Sequence, residues 1–198
     1  MPNENQIAVF LDSDNIEINM RGGPLERLSI DVGWERFKDW LFSYGNIAFV
    51  FAFAPEDKIR IDGKSFYRHG FIPVSCPILI DEKESKKRDL EDIELLLNEG
   101  KNREFDPVKP VPVINTTDEL MIRTAKELIP KMPCLTHICI ASGDGDFMPI
   151  VEIARQYGKK IMIMIGDYKS PSKELLRQAN KGPNGKKMIY LFNPIKDH

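Results

Sequence analysis

Ile7–Leu11 (Ile-Ala-Val-Phe-Leu) is apolar at every position rather than at every second one, and it stops at Asp12-Ser13-Asp14-Asn15. A run without alternation predicts a strand covered on both faces, as in a parallel sheet. Asn46–Ala54, His137–Ala141 and Lys160–Ile165 are further strands, whereas Phe71–Ile80 is interrupted by Pro73 and Pro77 and suits a sheet edge. Between the strands the period becomes helical. Asp31 is placed to cap a helix running to Ser43, with Trp34, Phe37, Trp40, Leu41 and Tyr44 at helical spacing and Gly45 as its stop. That aromatic stripe reads as core rather than as a platform for stacked bases. Lys58–His69 and Met148–Tyr157 are also helices. Thr116 or Thr117 caps another, whose Leu120, Ile122, Ala125, Leu128 and Ile129 face a core before Pro130 ends it. The alternation of strand and helix predicts a three-layer α/β/α sandwich around a central, mainly parallel sheet.

One region breaks the alternation. Asp81–Asn102 is dense in charge ahead of Leu95-Leu96-Leu97, and Phe105–Asn115 carries Pro107, Pro110 and Pro112. The first reads as an exposed helix or mobile insertion and the second as an extended linker, so residues 1–198 are expected to form one domain with a charged insertion at about 81–110. The rest of the composition is ordinary for a soluble globular chain, with 42% hydrophobic and 29% charged residues, which excludes a disordered or collagen-like protein. Three cysteines, Cys76, Cys134 and Cys139, are odd in number and make no CxxC pair, which excludes a disulfide framework and predicts a reducing compartment. Residues 1–6 lack the pattern of a signal peptide, and the longest apolar run, Ile47–Ala54, is too short for a bilayer. A cytoplasmic protein without a membrane partner is expected.

Net charge is −2, but it is unevenly spread. From Arg155 onward ten Lys and Arg face three acids, giving +7 and leaving −9 for residues 1–154. A basic end opposite acidic loops can hold a polyanion near a metal site, although such a run also describes a solvated helix face and tail.

The acidic loops carry the chemistry. Two strands end in clustered carboxylates, Asp12-Ser13-Asp14-Asn15 and Asp144-Gly145-Asp146. Ligands of open parallel sheets bind beyond the carboxyl ends of the strands, where strand order reverses. If these two strands are neighbours there, Asp12, Asp14, Asp144 and Asp146 converge, and such a group calls for a cation to offset its mutual repulsion. Oxygen ligands without His or Cys select Mg²⁺ or Mn²⁺. His69, His137 and His198 are too scattered for a zinc site. Asp118, near the start of its helix, is either a further ligand or an acid that meets the helix dipole.

These motifs, taken in order, resemble the NYN domain, a branch of the PIN-like nucleases that includes LabA-like bacterial proteins. Ala-Val-Phe-Leu-Asp-Ser-Asp-Asn-Ile (8–16) is similar to the family's opening motif, Thr-Thr-Asp-Glu-Leu-Met-Ile (116–122) to its helix start, and Ile-Ala-Ser-Gly-Asp-Gly-Asp-Phe-Met-Pro-Ile-Val (140–151) to its Ser-Gly-Asp-x-Asp-Phe motif. The resemblance implies a PIN-like fold with strand order 3-2-1-4-5 and a divalent-metal ribonuclease site. Carried over by position, Asp12, Asp118, Asp144 and Asp146 are its acidic residues and Asn15 its polar partner. Two positions depart from the family pattern: Thr124 and Asn180 stand where many members carry acids.

The expected activity is therefore hydrolysis of RNA, single-stranded by preference, by a metal-activated water. Ser142 and Asn15 would orient the water or a phosphate, or simply hold their turns. Lys159, Lys160, Lys169, Lys173 and Arg177 would track the backbone. A homodimer is left open. The rivals are a PIN-like RNA- or protein-binding module with a silent site, favoured by Thr124, and a haloacid-dehalogenase-like phosphatase with Asp12 as nucleophile.

Overall fold

The computed structural model describes residues 5–21, 30–81, 83–84, 86–87, 113–166 and 171–192. Most of the charged insertion expected at 81–110 and the basic residue Lys169 lie outside them. Six parallel strands form the main sheet in the order β3-β2-β1-β6-β7-β8: β1 is Gln6–Asp12, β2 Asn46–Pro55, β3 Ile72–Cys76, β6 His137–Ala141, β7 Lys160–Ile165 and β8 Ile189–Leu191. Two short strands, β4 (Ile78–Ile80) and β5 (Val113–Asn115), pair antiparallel in a separate ribbon. Helices α1 (Ser13–Arg21), α2 (Ile30–Phe42), α3 (Glu56–Arg68), α4 (Thr117–Leu128), α5 (Met148–Gln156) and α6 (Lys173–Gln178) supply the outer layers. In sequence order the first five main-sheet strands give the expected 3-2-1-4-5, and β8 adds a sixth beyond the last of them.

The apolar run at β1 sits in the middle of this sheet, which accounts for its lack of alternation. Ile7, Val9 and Leu11 join one buried cluster with Trp34, Phe37, Leu41, Phe66 and Phe71. Ala8 and Phe10 join the other with Met121, Ala125, Phe147, Ile150 and Leu175. Two cores on opposite faces make the three layers, and each fully buried aliphatic or aromatic side chain contributes roughly 1.5–3 kcal/mol. The aromatic stripe of α2 is core, as its spacing implied. Trp34 packs edge-on to Phe37 at 5.8 Å, and Trp40 reaches Tyr44 at 5.2 Å.

Several local expectations are corrected. Asp31 lies inside the first turn of α2 rather than ahead of it, and its carboxylate crosses to α3, where it accepts from Ser65 and Arg68 and meets His69. Thr116 precedes α4 without a side-chain cap; its hydroxyl donates to the Pro77 carbonyl at 2.6 Å and ties the helix start to the end of β3. The linker expected at 105–115 ends in a strand, β5. Pro73 does fall on an edge strand, where a missing N–H is tolerated. Gly70 and Gly158 stop α3 and α5 in the left-handed region, at φ 79° and 67°.

Candidate active site

Parallel pairing brings the carboxyl ends of β1 and β6 side by side, with Leu11 opposite Ala141. Asp12 is the last residue of β1, and Ser142-Gly143-Asp144 leave β6 at the same level. Asp118 enters from the first turn of α4. Carboxylate oxygens of Asp118, Asp144 and Asp146 lie within 4.8 Å of one another. Asp118 is half-buried, while Asp144 and Asp146 are exposed. Its helix-start position should favour the Asp118 anion, yet its pKa is raised, by burial first and then by the charges of Asp144 and Asp146. At this position burial, followed by the neighbouring acids, outweighs the helix dipole.

Asp12 is the buried member of the site. Burial pushes its pKa up to about 6, opposed by the Asn15 N–H and the Ser142 hydroxyl and aided by repulsion from Asp118 and Asp14. Its two oxygens are separately held: Asn15 N–H donates to one at 3.3 Å, and Ser142 Oγ donates to the other at 3.1 Å. Ser142 Oγ in turn accepts from the Asp144 N–H at 3.2 Å, and Asn15 Oδ1 accepts from the Gly143 N–H at 3.1 Å. Asp144 closes the loop by accepting from the Asp146 N–H at 3.0 Å. Asn15 and Ser142 thus fasten the β1 and β6 loops together around Asp12. Ser142 is fully buried, and its hydroxyl links Asp12 to the Asp144 backbone.

The second acid after β1 behaves differently. Asp12-Ser13-Asp14-Asn15 reads as a turn, but α1 starts at Ser13, and the first helical turn carries Asp14 away. Its carboxylate is paired with Lys58 Nζ of α3 at 2.7 Å, and the same ammonium pairs with Glu17, whose side chain is 3% exposed. Among the described residues, the group able to hold an ion contains Asp118, Asp144 and Asp146 but neither Asp12 nor Asp14. Lys58 and Glu17 escaped the sequence reading because their partners lie on different helices.

The basic residues divide in two. Lys159 and Lys160 sit where β7 begins, about 17 Å along the strand from its carboxyl end. Lys159 Nζ donates to the carbonyls of Met132, Pro133 and Leu135. The two lysines thus lie at the end of the sheet away from the acidic loops. Lys173 and Arg177, by contrast, are exposed on α6, whose start packs on the acidic loop: Ser172 N–H donates to the Gly143 carbonyl at 2.7 Å.

The glycines of that loop are required by close approach. A Cβ at Gly145 would lie 2.9 Å from Ser172 Oγ, the atom that caps α6 by accepting from Leu175 N–H. Gly145→Ala is expected to cost about 1 kcal/mol through the lost cap and to lower any activity of the Asp144–Asp146 loop more than fivefold. Thermal melts and kinetics check this, and wild-type values in both would contradict the packing.

The departures Thr124 and Asn180 are placed by the fold. Six helical residues carry Thr124 about 9 Å down α4 from Asp118, and Asn180 Oδ1 accepts from the Ile161 N–H near the opposite end of β7. Neither position adjoins the carboxylate cluster.

An acid cluster at the carboxyl edge of a parallel sheet, beside the point where strand order reverses, defines an α/β protein of PIN-like architecture. The chain belongs to the NYN domain family, whose sequence profile matches residues 6–182. It is thus a member of the PIN-like nuclease superfamily, which sets aside the dehalogenase-like phosphatase. Among curated proteins none matches the chain at a significant level. No helix among the described residues is long and apolar enough to cross a membrane.

Proposed function

We propose that the protein is a metal-dependent endoribonuclease acting on single-stranded RNA. The observation that carries this reading is the convergence of Asp118, Asp144 and Asp146 within 4.8 Å at the mouth of an NYN fold. The donor set fits a hard cation: it is all carboxylate, with no nitrogen or sulfur donor in the group. Asp118, Asp144 and Asp146 would hold Mg²⁺ or Mn²⁺, with Asp12 completing the acidic wall. When bound, the ion lowers the pKa of a water and offsets the charge developing on phosphate.

The chain's own residues set the stage for that chemistry. Ser142 and Asn15 each hold one oxygen of Asp12 and so fix its carboxylate at the end of β1. Asp12, whose pKa stands at about 6, is able to take up or release a proton near neutral pH; burial and the neighbouring acids raise the pKa of Asp118 as well. Lys173 and Arg177 on α6 offer cations to flanking phosphates. No side chain needs to bond to phosphorus.

The test is cleavage of a 5′-labelled single-stranded RNA with Mn²⁺, Mg²⁺ or EDTA, wild type beside Asp144→Asn. Internal cuts that require metal and fall at least a hundredfold in the variant are expected. Binding without cuts under every metal would instead make the protein a silent RNA-binding module.

A further inference from the structure

Helix α6 leaves the acidic loop and runs to the opposite end of the sheet. It begins just after Ser172, whose N–H donates to the Gly143 carbonyl, and two residues past its end Asn180 N–H donates to the Ile161 carbonyl at 3.0 Å, one residue into β7. Lys173 and Arg177 are spaced four apart on its exposed face, and Lys181 continues the spacing just past its end. There the chain folds into a tight loop: Lys181 bridges Lys187, and Gly182 N–H donates to the Lys186 carbonyl at 2.8 Å. Lys181, Lys186 and Lys187 are all exposed, with Lys187 Nζ donating to the Arg177 carbonyl at 2.6 Å, and Lys160 opens the adjacent strand. Residues 171–192 hold these five cations against one acid, Glu174. Among the described residues none of the five is in an ion pair with a carboxylate.

We propose that this row is a phosphate track that carries single-stranded RNA away from the acidic site, along α6 to the 181–187 loop. The inference rests on the ribonuclease reading and adds a direction to it. Lys173 to Lys181 spans roughly 15–20 Å, enough for about four nucleotides, the lower end of single-strand site sizes. Cations without carboxylate partners keep their full charge for phosphates, and contacts of this kind are salt-sensitive and indifferent to sequence. Residues 171–187 contain no Phe, Trp or Tyr, so affinity should come from charge rather than from stacking.

The test uses a fluorescein-labelled oligouridine of twenty nucleotides in EDTA, titrated by anisotropy at several salt concentrations. Lys181→Ala/Lys186→Ala is compared with Arg60→Ala/Lys64→Ala, an equal charge loss on α3 at the other edge of the sheet. The first pair should bind about tenfold more weakly at 0.1 M salt and lower the slope of log K against log salt by about 1.4, or about 0.7 per lost phosphate contact. The second pair should leave the slope unchanged. Equal losses in both pairs, no loss in the first, or no binding by wild type would overturn the track. Cleavage of the same RNA with Mn²⁺ separates the two readings. Wild-type cutting with an unchanged slope in Lys181→Ala/Lys186→Ala removes the track and keeps the nuclease. The expected slope change without cutting under any metal keeps the track and removes the nuclease.

Discussion

Asp12→Asn is expected to make the metal-free protein more stable at pH 7.5 while abolishing metal-dependent cleavage. Asp12 is buried at the end of the central strand, and its pKa stands at about 6, against an ordinary value near 4. The folded state therefore holds this proton more tightly than the unfolded chain does. Below pH ~4 both states are protonated and the group costs nothing. Stability then falls as pH rises from ~4 to ~6, and above that the full penalty of about 3 kcal/mol is present. Asparagine removes the charge but has one acceptor oxygen where Asp12 uses two, so either the Asn15 N–H or the Ser142 hydroxyl loses its partner, and the gain should be nearer 1–2 kcal/mol, or about 2–8 °C in Tm. Melts in EDTA at pH 4 and pH 7.5 check this: the variant's advantage should be confined to the higher pH. An advantage of the same size at both would show that the charge is not its source. Mn²⁺ should raise the Tm of the wild type and have a smaller effect on the variant, because binding to the folded state alone adds stability by mass action.

The parts of the fold that were legible in the sequence are those whose environment is uniform. Ile7–Leu11 and His137–Ala141 are buried on both faces, so their runs of apolar residues announce central parallel strands without any knowledge of their partners. The carboxylates at their ends were legible for the same reason, since neighbouring strands present their carboxyl ends together. Helix α1 was not. Ser13, Asp14 and Asn15 have the composition of a turn, and the helix they open is anchored on Ile16 and Glu17 rather than on an apolar stripe. β8 is three residues long and follows a loop rich in glycine and lysine, too short for a periodic signal.

Residue type alone also could not tell Lys159 from Lys173. One is spent on the carbonyls of Met132, Pro133 and Leu135, and the other is exposed beside the acidic loop. The difference lies in which end of the sheet each residue occupies, a property of topology and not of composition. Ser142 shows the same limit in reverse. A hydroxyl beside an acidic motif suggests contact with substrate, but complete burial turns it into the link between Asp12 and the Asp144 backbone.

Lys58→Met should destabilise the protein by about 3–5 kcal/mol, more than any other single change away from the aromatic core. The Lys58 side chain is 13% exposed and its ammonium lies between Asp14 and Glu17, both on α1. Glu17, at 3% exposure, loses the ammonium that offsets its desolvation when methionine takes this place. Asp14 is 41% exposed and water screens it, so Asp14→Asn should cost less than about 1 kcal/mol. The two carboxylates thus separate a buried ion pair from a surface one on a single lysine. In Lys58→Met/Glu17→Leu the buried charge is gone from both sides, and most of the lost stability should return, giving a coupling of about 2 kcal/mol or more in a double-mutant cycle. The consequence reaches the site because α1 starts at the residue after Asp12, and its Asn15 holds the Gly143 N–H. Cleavage by Lys58→Met should accordingly fall at temperatures well below its Tm, and the double variant should recover stability ahead of activity, since methionine and leucine do not restore the α1–α3 register that the ammonium sets. Urea melts of the four proteins decide the matter: additive losses, or a Lys58→Met cost below about 1 kcal/mol, would mean that the lysine is a surface residue with no hold on α1.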